Sequence, residues 1–402
     1  MDYSLENAIR YGGGWKLEVV LKIAESCNLA CDYCYFYFKG DESHKTHSKL
    51  ISAETVGEFV AFLNRVLDEA SFNVVRIHLH GGEPLLFPKE RFDALCGMLR
   101  DTTSGRVDLA LALQTNGVLI DEEWIALFAK HDVAVGVSLD GPQPIHDRHR
   151  VDKKGRGTHE QTVRGIRLLK DAFARGDLSQ PPAVLSVHDP LVPVEDVVGH
   201  IVHDLGVNYF NILADDVSHD GIEGRAPTDS RLYSRIFSSL GDRRDVHVDA
   251  VWNVEQQLKR RIHDEALRRY DILRQVLVTV SSDGHIAGVD QARMLSERFQ
   301  YDDLHIATAS LADILRSPAQ IELREAAQSI PDACGDCCWR LVCRGGDPVH
   351  RFSSARGFNN PSVYCSSLQD LYSSTSARML NEGANIAQLE SALGIPVDEA
   401  RQ

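Results

Sequence analysis

From residue 16 to about 213 the chain alternates short apolar runs with longer segments of helical periodicity. Six runs stand out as strands: Leu17–Ala24, Val74–His80, Leu109–Gln114, Val133–Asp140, Ala183–His188 and Asn208–Leu213. A repeating strand–helix order predicts a parallel sheet. Several runs alternate instead of being apolar throughout. Val75, Ile77 and Leu79 oppose Arg76, His78 and His80; Leu109, Leu111 and Leu113 oppose Ala110, Ala112 and Gln114; Val133, Val135, Val137 and Leu139 oppose Ala134, Gly136, Ser138 and Asp140. Side chains two apart share a face of a strand. One face is therefore apolar and suited to covering helices, and the other is small or polar. A closed, packed barrel fills its interior with bulky branched side chains. This pattern predicts a curved sheet of six strand–helix units around an open lumen.

Beyond residue 213 the rhythm changes. Asp215–Thr228 reads as a loop, Leu232–Leu277 as largely helical, and Val278–Asp290 as a β-hairpin turning at Ser282-Asp283-Gly284. The expected organisation is an extension over 1–15, a strand–helix domain over 16–240, a helical bridge over 241–277, a smaller α+β domain over 278–370 and a helical tail over 371–402. The formal net charge of -15 argues against a nucleic-acid-coating surface. No apolar run approaches the roughly 20 residues of a membrane span, and the first residues lack a signal-peptide pattern. A cytoplasmic protein is expected.

The candidate chemistry begins with nine cysteines. Cys96 lies alone on an amphipathic segment and reads as core. Cys27, Cys31 and Cys34 follow the first strand at a Cys-x3-Cys-x2-Cys spacing. Three thiolates on one loop suit three irons of a [4Fe–4S] cluster and leave the fourth open, whereas a structural zinc site needs a fourth ligand. Cys334, Cys337, Cys343 and Cys365 supply a second set of four, which closes either a cluster or a zinc site. Polar motifs fall after the strands: His80-Gly81-Gly82-Glu83-Pro84, Gln114-Thr115-Asn116-Gly117 and Ser138-Leu139-Asp140-Gly141-Pro142, with Arg150 beyond the last and Ser186 in the fifth strand. Each could be a turn taken singly. His78 reads equally as a satisfied interior histidine or as a substrate contact.

The cysteine triad with its aromatic Tyr33, the GGEP motif and the six units resemble the radical S-adenosylmethionine (SAM) superfamily. The resemblance implies a partial (β/α)6 barrel and a SAM-binding [4Fe–4S] cluster on Cys27, Cys31 and Cys34. It further implies SAM contacts among Tyr33, Gly81, Gly82, Glu83, Pro84, Gln114, Asn116, Ser138, Asp140, Arg150 and Ser186. The second cysteine set is similar to the last cluster of SPASM domains, so a C-terminal α+β SPASM/twitch-like domain with one auxiliary [4Fe–4S] cluster is expected. Three cysteines of the full seven-cysteine pattern are missing, Val289 and Asp347 standing at two of their positions. Asp290 matches the aspartate that serves as a base in sulfatase-maturing relatives, or is simply a hairpin-end residue. The run Gly345–Cys365 and the wording of the barrel motifs resemble cyclophane-forming maturases of ribosomally made peptides. The activity so implied uses a 5′-deoxyadenosyl radical to take a side-chain hydrogen from a precursor peptide and joins an aromatic ring to a β-carbon. The implied electron donor is a flavodoxin or ferredoxin. Thioether formation, formylglycine-type oxidation and a cluster-bearing scaffold without turnover are the alternatives.

Overall fold

The computed structural model describes residues 15–225, 229–263, 275–299 and 303–395. The expected extension, apart from Trp15, lies outside the described residues, as do 264–274 of the bridge and 396–402 of the tail. The chain divides into two compact units, Met1–Leu185 with Leu273–Leu323 and Ser186–Ile272 with Arg324–Gln402. Ten strands are described: β1 Trp15–Ala24, β2 Phe72–Gly81, β3 Asp108–Thr115, β4 Val133–Ser138, β5 Ala183–Val187, β6 Tyr209–Leu213, β7 His247–Val248, β8 Gln275–Val280, β9 His285–Ala287 and β10 Leu304–His305.

The first unit carries the order β10-β9-β8-β1-β2-β3-β4-β5. From β8 to β5 every pairing is parallel. The alternation seen along the chain is the alternation of burial. Val75, Ile77 and Leu79 are fully enclosed under helices, whereas Arg76, His78 and His80 are only half-buried on the other face. β4 repeats this, with Val133, Val135 and Val137 buried and Ala134, Gly136 and Ser138 half-buried. The covering helices form for local reasons. In Ala53–Glu69, Ser52 caps the start by accepting from the Thr55 N–H, and Val56, Phe59, Phe62, Leu63 and Val66 make one buried stripe. Each such side chain contributes roughly 1.5–3 kcal/mol on burial. Cys96 is enclosed in the helix Lys89–Thr103, as expected, and burial pushes its thiol up to about 12.

The stretch from Leu232 to Leu277 departs from expectation. It holds helices Leu232–Leu240 and Asp249–His263, but β7 interrupts them and residues from Gln275 onward are strand. The hairpin is present, with Gly284 N donating to Ser281 O across the turn. Its first strand, β8, also joins β1 in parallel from Lys16↔Gln275 to Leu21↔Val280. That pairing extends the sheet on the side away from β2 and brings Asp290 to the polar face of β1. Arg293, fully buried, holds the arrangement by pairing with Asp41 at 3.1 Å and donating to Ser281 Oγ at 3.1 Å.

In the second unit the helix Cys365–Asn381 packs on Leu232–Leu240 and Asp249–His263. Asp370 ties it down by accepting from the N–H groups of Tyr233 and Ser234 at 2.7 and 2.8 Å, at the start of the facing helix. Among the described residues no helix is long and apolar enough to cross a membrane.

Candidate functional site

Behind β1 the chain turns through Cys27, Cys31 and Cys34 into the short helix Tyr35–Phe38. Backbone bonds fix this loop: Gly82 N donates to Ala24 O at 2.8 Å and Glu83 N to Ser26 O at 2.9 Å. The two glycines of the GGEP motif permit this approach. Gly81 has φ +143, and a Cβ there would lie 2.0 Å from Ala24 O; a Cβ on Gly82 would lie 2.6 Å from Ser26 O. Pro84 opens a short turn, and the buried Glu83 carboxylate binds the ends of two strands together. It accepts from Leu85 N at 3.0 Å, Thr115 Oγ1 at 2.7 Å and Asn116 N at 2.8 Å. Burial nonetheless raises its pKa, against the pull of those donors. Asn116 in turn donates to Asn28 at 2.7 Å, which places the end of β3 beside Cys27.

A second group forms from β4 onward. Asp140, buried at its end, accepts from Tyr33 Oη at 2.5 Å and from Arg150 Nε at 2.9 Å. The guanidinium lies 5.4 Å from the centre of the Tyr33 ring. Gln114 Nε2 donates to Ser138 Oγ at 2.9 Å. Glu83 with Asn116, and Asp140 with Tyr33 and Arg150, thus form two bonded groups beside the cysteine loop. Ser186 falls in the second unit, fully buried, and its hydroxyl has no hydrogen-bond partner among the described residues.

The three thiols are half-buried, and burial pushes Cys27 up to about 12 and Cys31 up to about 11. Metal binding must displace those protons. Among the described residues no three His, Cys, Asp or Glu side chains converge as ligands of one ion. Three thiols on one loop, each able to take its own iron, suit a four-iron cluster. Cys27 Sγ also accepts from Leu29 N at 3.4 Å, the kind of bond that tunes a cluster sulfur. The triad therefore fits the cluster. The second set fits too: Cys334, Cys337, Cys343 and Cys365 line one pocket of about 330 Å³, part of it open to solvent. Cys338 is exposed and outside that pocket.

Sequence reasoning missed the polar cluster in the lumen. Lys22, fully buried on β1, places Nζ 2.6 Å from Asp290 Oδ2, which also accepts from Tyr35 Oη at 2.5 Å. His80 stands opposite Lys22 in the β1–β2 register. Burial would raise Asp290, but Lys22, with His80 and Arg293, holds it down at about 2. Burial, with Lys22 beside it, lowers His80 to about 4. Asp290 Oδ1 and His80 Nδ1 are both shielded and have no hydrogen-bond partner among the described residues. Lys22 had a signal: it shares parity with Lys16 and Glu18 on β1. His78, half-buried, places Nε2 3.1 Å from Glu18 Oε1.

These shifts fix an acid limb of stability. Asp290 stabilises the fold above the ordinary carboxylate range, and that contribution is lost as pH falls through about 2. Between the ordinary 6.5 of histidine and about 4, the unfolded chain binds the His80 proton and the folded one does not. Stability therefore declines as pH falls from 6.5 to 4. Urea midpoints measured across that window should drop in the parent protein and drop less in His80→Gln.

Residues 21–179 match the Radical SAM superfamily. The serine-type anaerobic sulfatase-maturating enzyme of Klebsiella aerogenes is 25% identical over 336 residues, 82% of this chain and 78% of that one. The serine-type enzyme of Bacteroides thetaiotaomicron is 32% identical over 152 residues, 38% of this chain but only 36% of that relative's length. Among solved structures, anSMEcpe with bound AdoMet and Cp18Cys peptide superposes with a TM-score of 0.72 at 21% identity, covering 91% of this chain and 98% of that one. The fold is shared with that structure. The matched stretch holds the triad and the GGEP contacts on the parallel sheet, and the chain is an oxidoreductase that uses a [4Fe–4S] cluster and SAM.

Proposed function

We propose that the enzyme oxidises one side chain of a peptide or protein presented to the lumen, and that Lys22, His80 and Asp290 receive that side chain. The observation that carries this reading is the pair of shielded, unpartnered atoms, Asp290 Oδ1 and His80 Nδ1, on the polar face next to the cysteine loop. Buried polar atoms without partners are costly, and a substrate group that bonds them recovers that cost. When bound, the cluster and SAM supply the oxidising radical that removes a hydrogen atom from the substrate carbon. Asp290 Oδ1 accepts the hydrogen bond of the substrate hydroxyl or thiol and orients it. Its low pKa makes it a weak base at rest, so it takes the proton only after hydrogen abstraction has made that group acidic. Lys22 keeps the carboxylate ionised, and Tyr35 fixes its rotamer.

For a serine, loss of a hydrogen atom, a proton and an electron leaves formylglycine. The sulfatase-maturating relatives favour this product. A second reading is an aromatic ring to Cβ crosslink in a ribosomally made precursor peptide. It is favoured by the run Gly345–Cys365 and the wording of the barrel motifs, which resemble cyclophane-forming maturases. In either reading the four-cysteine pocket holds the auxiliary cluster as electron acceptor, and a flavodoxin or ferredoxin supplies the reducing electron. The test is reconstituted enzyme with SAM, a reductant and two peptide pools, sulfatase-type serine or cysteine peptides and aromatic-rich precursor peptides. An aldehyde-reactive hydrazide and fragment spectra read the products. A hydrazide adduct supports formylglycine, a fragmentation-resistant loss of two hydrogens supports the crosslink, and 5′-deoxyadenosine without any altered peptide defeats both.

A further inference from the structure

We propose that Arg351 is the electrostatic counterpart of the second cysteine set, a permanent buried cation that raises the reduction potential of the cluster bound there. The inference rests on the reading of Cys334, Cys337, Cys343 and Cys365 as cluster ligands. Arg351 is 0% exposed, and among the described residues every hydrogen-bond partner of its guanidinium is a neutral oxygen. It donates to Ala326 O at 2.6 Å, Arg344 O at 3.0 Å, Phe358 O at 2.8 Å, Asn360 O at 3.3 Å and Ser329 Oγ at 3.0 Å, with a longer bond to Ser329 O at 3.4 Å. No carboxylate pairs with it among the described residues. Asp347 acts on it only from a distance, its Oδ1 engaged at Val349 N. A buried charge without a counter-ion is strongly disfavoured. An arginine cannot shed its proton to escape that cost.

The missing anion is supplied from the pocket side. Cys334 and Cys343 are the acidic groups whose charges act most on Arg351. Gly345 forms part of the pocket wall and has φ +85; a Cβ placed on it would meet Pro331 at 2.7 Å and Arg351 Nε at 3.3 Å, so the guanidinium stands directly behind that part of the wall. A four-iron cluster with four thiolates is an anion in its oxidised state and gains one more negative charge on reduction. A fixed cation behind the wall stabilises the reduced form more, so the potential rises. In the proposed chemistry the cluster is reduced by one electron as the substrate radical is oxidised, and the substrate proton leaves to Asp290.

The test is a redox titration followed by electron paramagnetic resonance. It uses full-length protein carrying Cys27→Ala, Cys31→Ala and Cys34→Ala, so that only the second site contributes. Arg351→Gln should shift the one-electron equilibrium at least tenfold towards the oxidised form, about 59 mV. Arg351→Lys, which keeps the charge, should stay within a few-fold of the parent. Equal shifts in both, or none in Arg351→Gln, would overturn the proposal. Should Arg351→Gln fail to fold, Ser329→Asp decides: it leaves Arg351 bonded to its carbonyls but sets a carboxylate beside it. A tenfold shift in the same direction supports the proposal, and an unchanged potential overturns it. Iron counting separates the underlying reading, since zinc in place of about four irons per chain defeats both at once.

Discussion

Changing Cys27 to Ala should abolish 5′-deoxyadenosine formation, by a factor of a thousand or more on the order of what enzymes lose with an essential group. The site gives no route to compensation. Cys27 is fixed by Leu29 N, and Asn28 beside it is bonded to Asn116, so no neighbouring donor can swing in to replace the sulfur. Cys96 is enclosed in its helix. Liquid chromatography with mass detection of deoxyadenosine is the readout. Iron content should fall by about one cluster while the second set keeps its own. Retained cleavage in a folded Cys27→Ala protein would sink the assignment of the SAM site.

Asp290→Asn should cost both stability and product. Removing one partner of a buried ion pair leaves the other uncompensated, typically about 3–5 kcal/mol. Lys22, fully enclosed and 4.1 Å from the Phe36 ring centre, has little water to turn to. The double change Lys22→Met with Asp290→Leu removes both charges and should recover most of that loss in urea unfolding. It should not recover peptide oxidation, because the acceptor at Oδ1 is gone. Deoxyadenosine should still form in both variants, since the cysteine triad and the Glu83 contacts are untouched. If the double variant made product, Asp290 would be structural.

Much of this was visible along the chain, and for a common reason. The strands of the barrel announce themselves because each buries one face against helices and leaves the other to the lumen, so Ile77 and Leu79 alternate with His78 and His80. The cysteine spacing and GGEP are local motifs, and their meaning survives without a fold. What stayed hidden depends on distant partners. Tyr35 is lost among the aromatics of its segment, and no local feature says that its hydroxyl meets Asp290. Asp290 read ambiguously because its character comes from Lys22, 268 positions away. The glycines of GGEP also admit the cysteine loop's own backbone, a contact that no local motif announces. Arg351 has no local signal of its own in the run Gly345–Cys365, and only its carbonyl cage distinguishes it.

The parallel docking of β8 on β1 has a consequence for synthesis. The strand nearest the cysteine loop is made first, yet one of its neighbours emerges from the ribosome some 260 residues later. Until then the nascent chain carries an open strand edge and an uncompensated ammonium beside the loop. Such late closure raises contact order and slows folding. It also orders events in the cell, since a finished lumen cannot precede translation of the hairpin, and iron delivered earlier would meet an incomplete cradle.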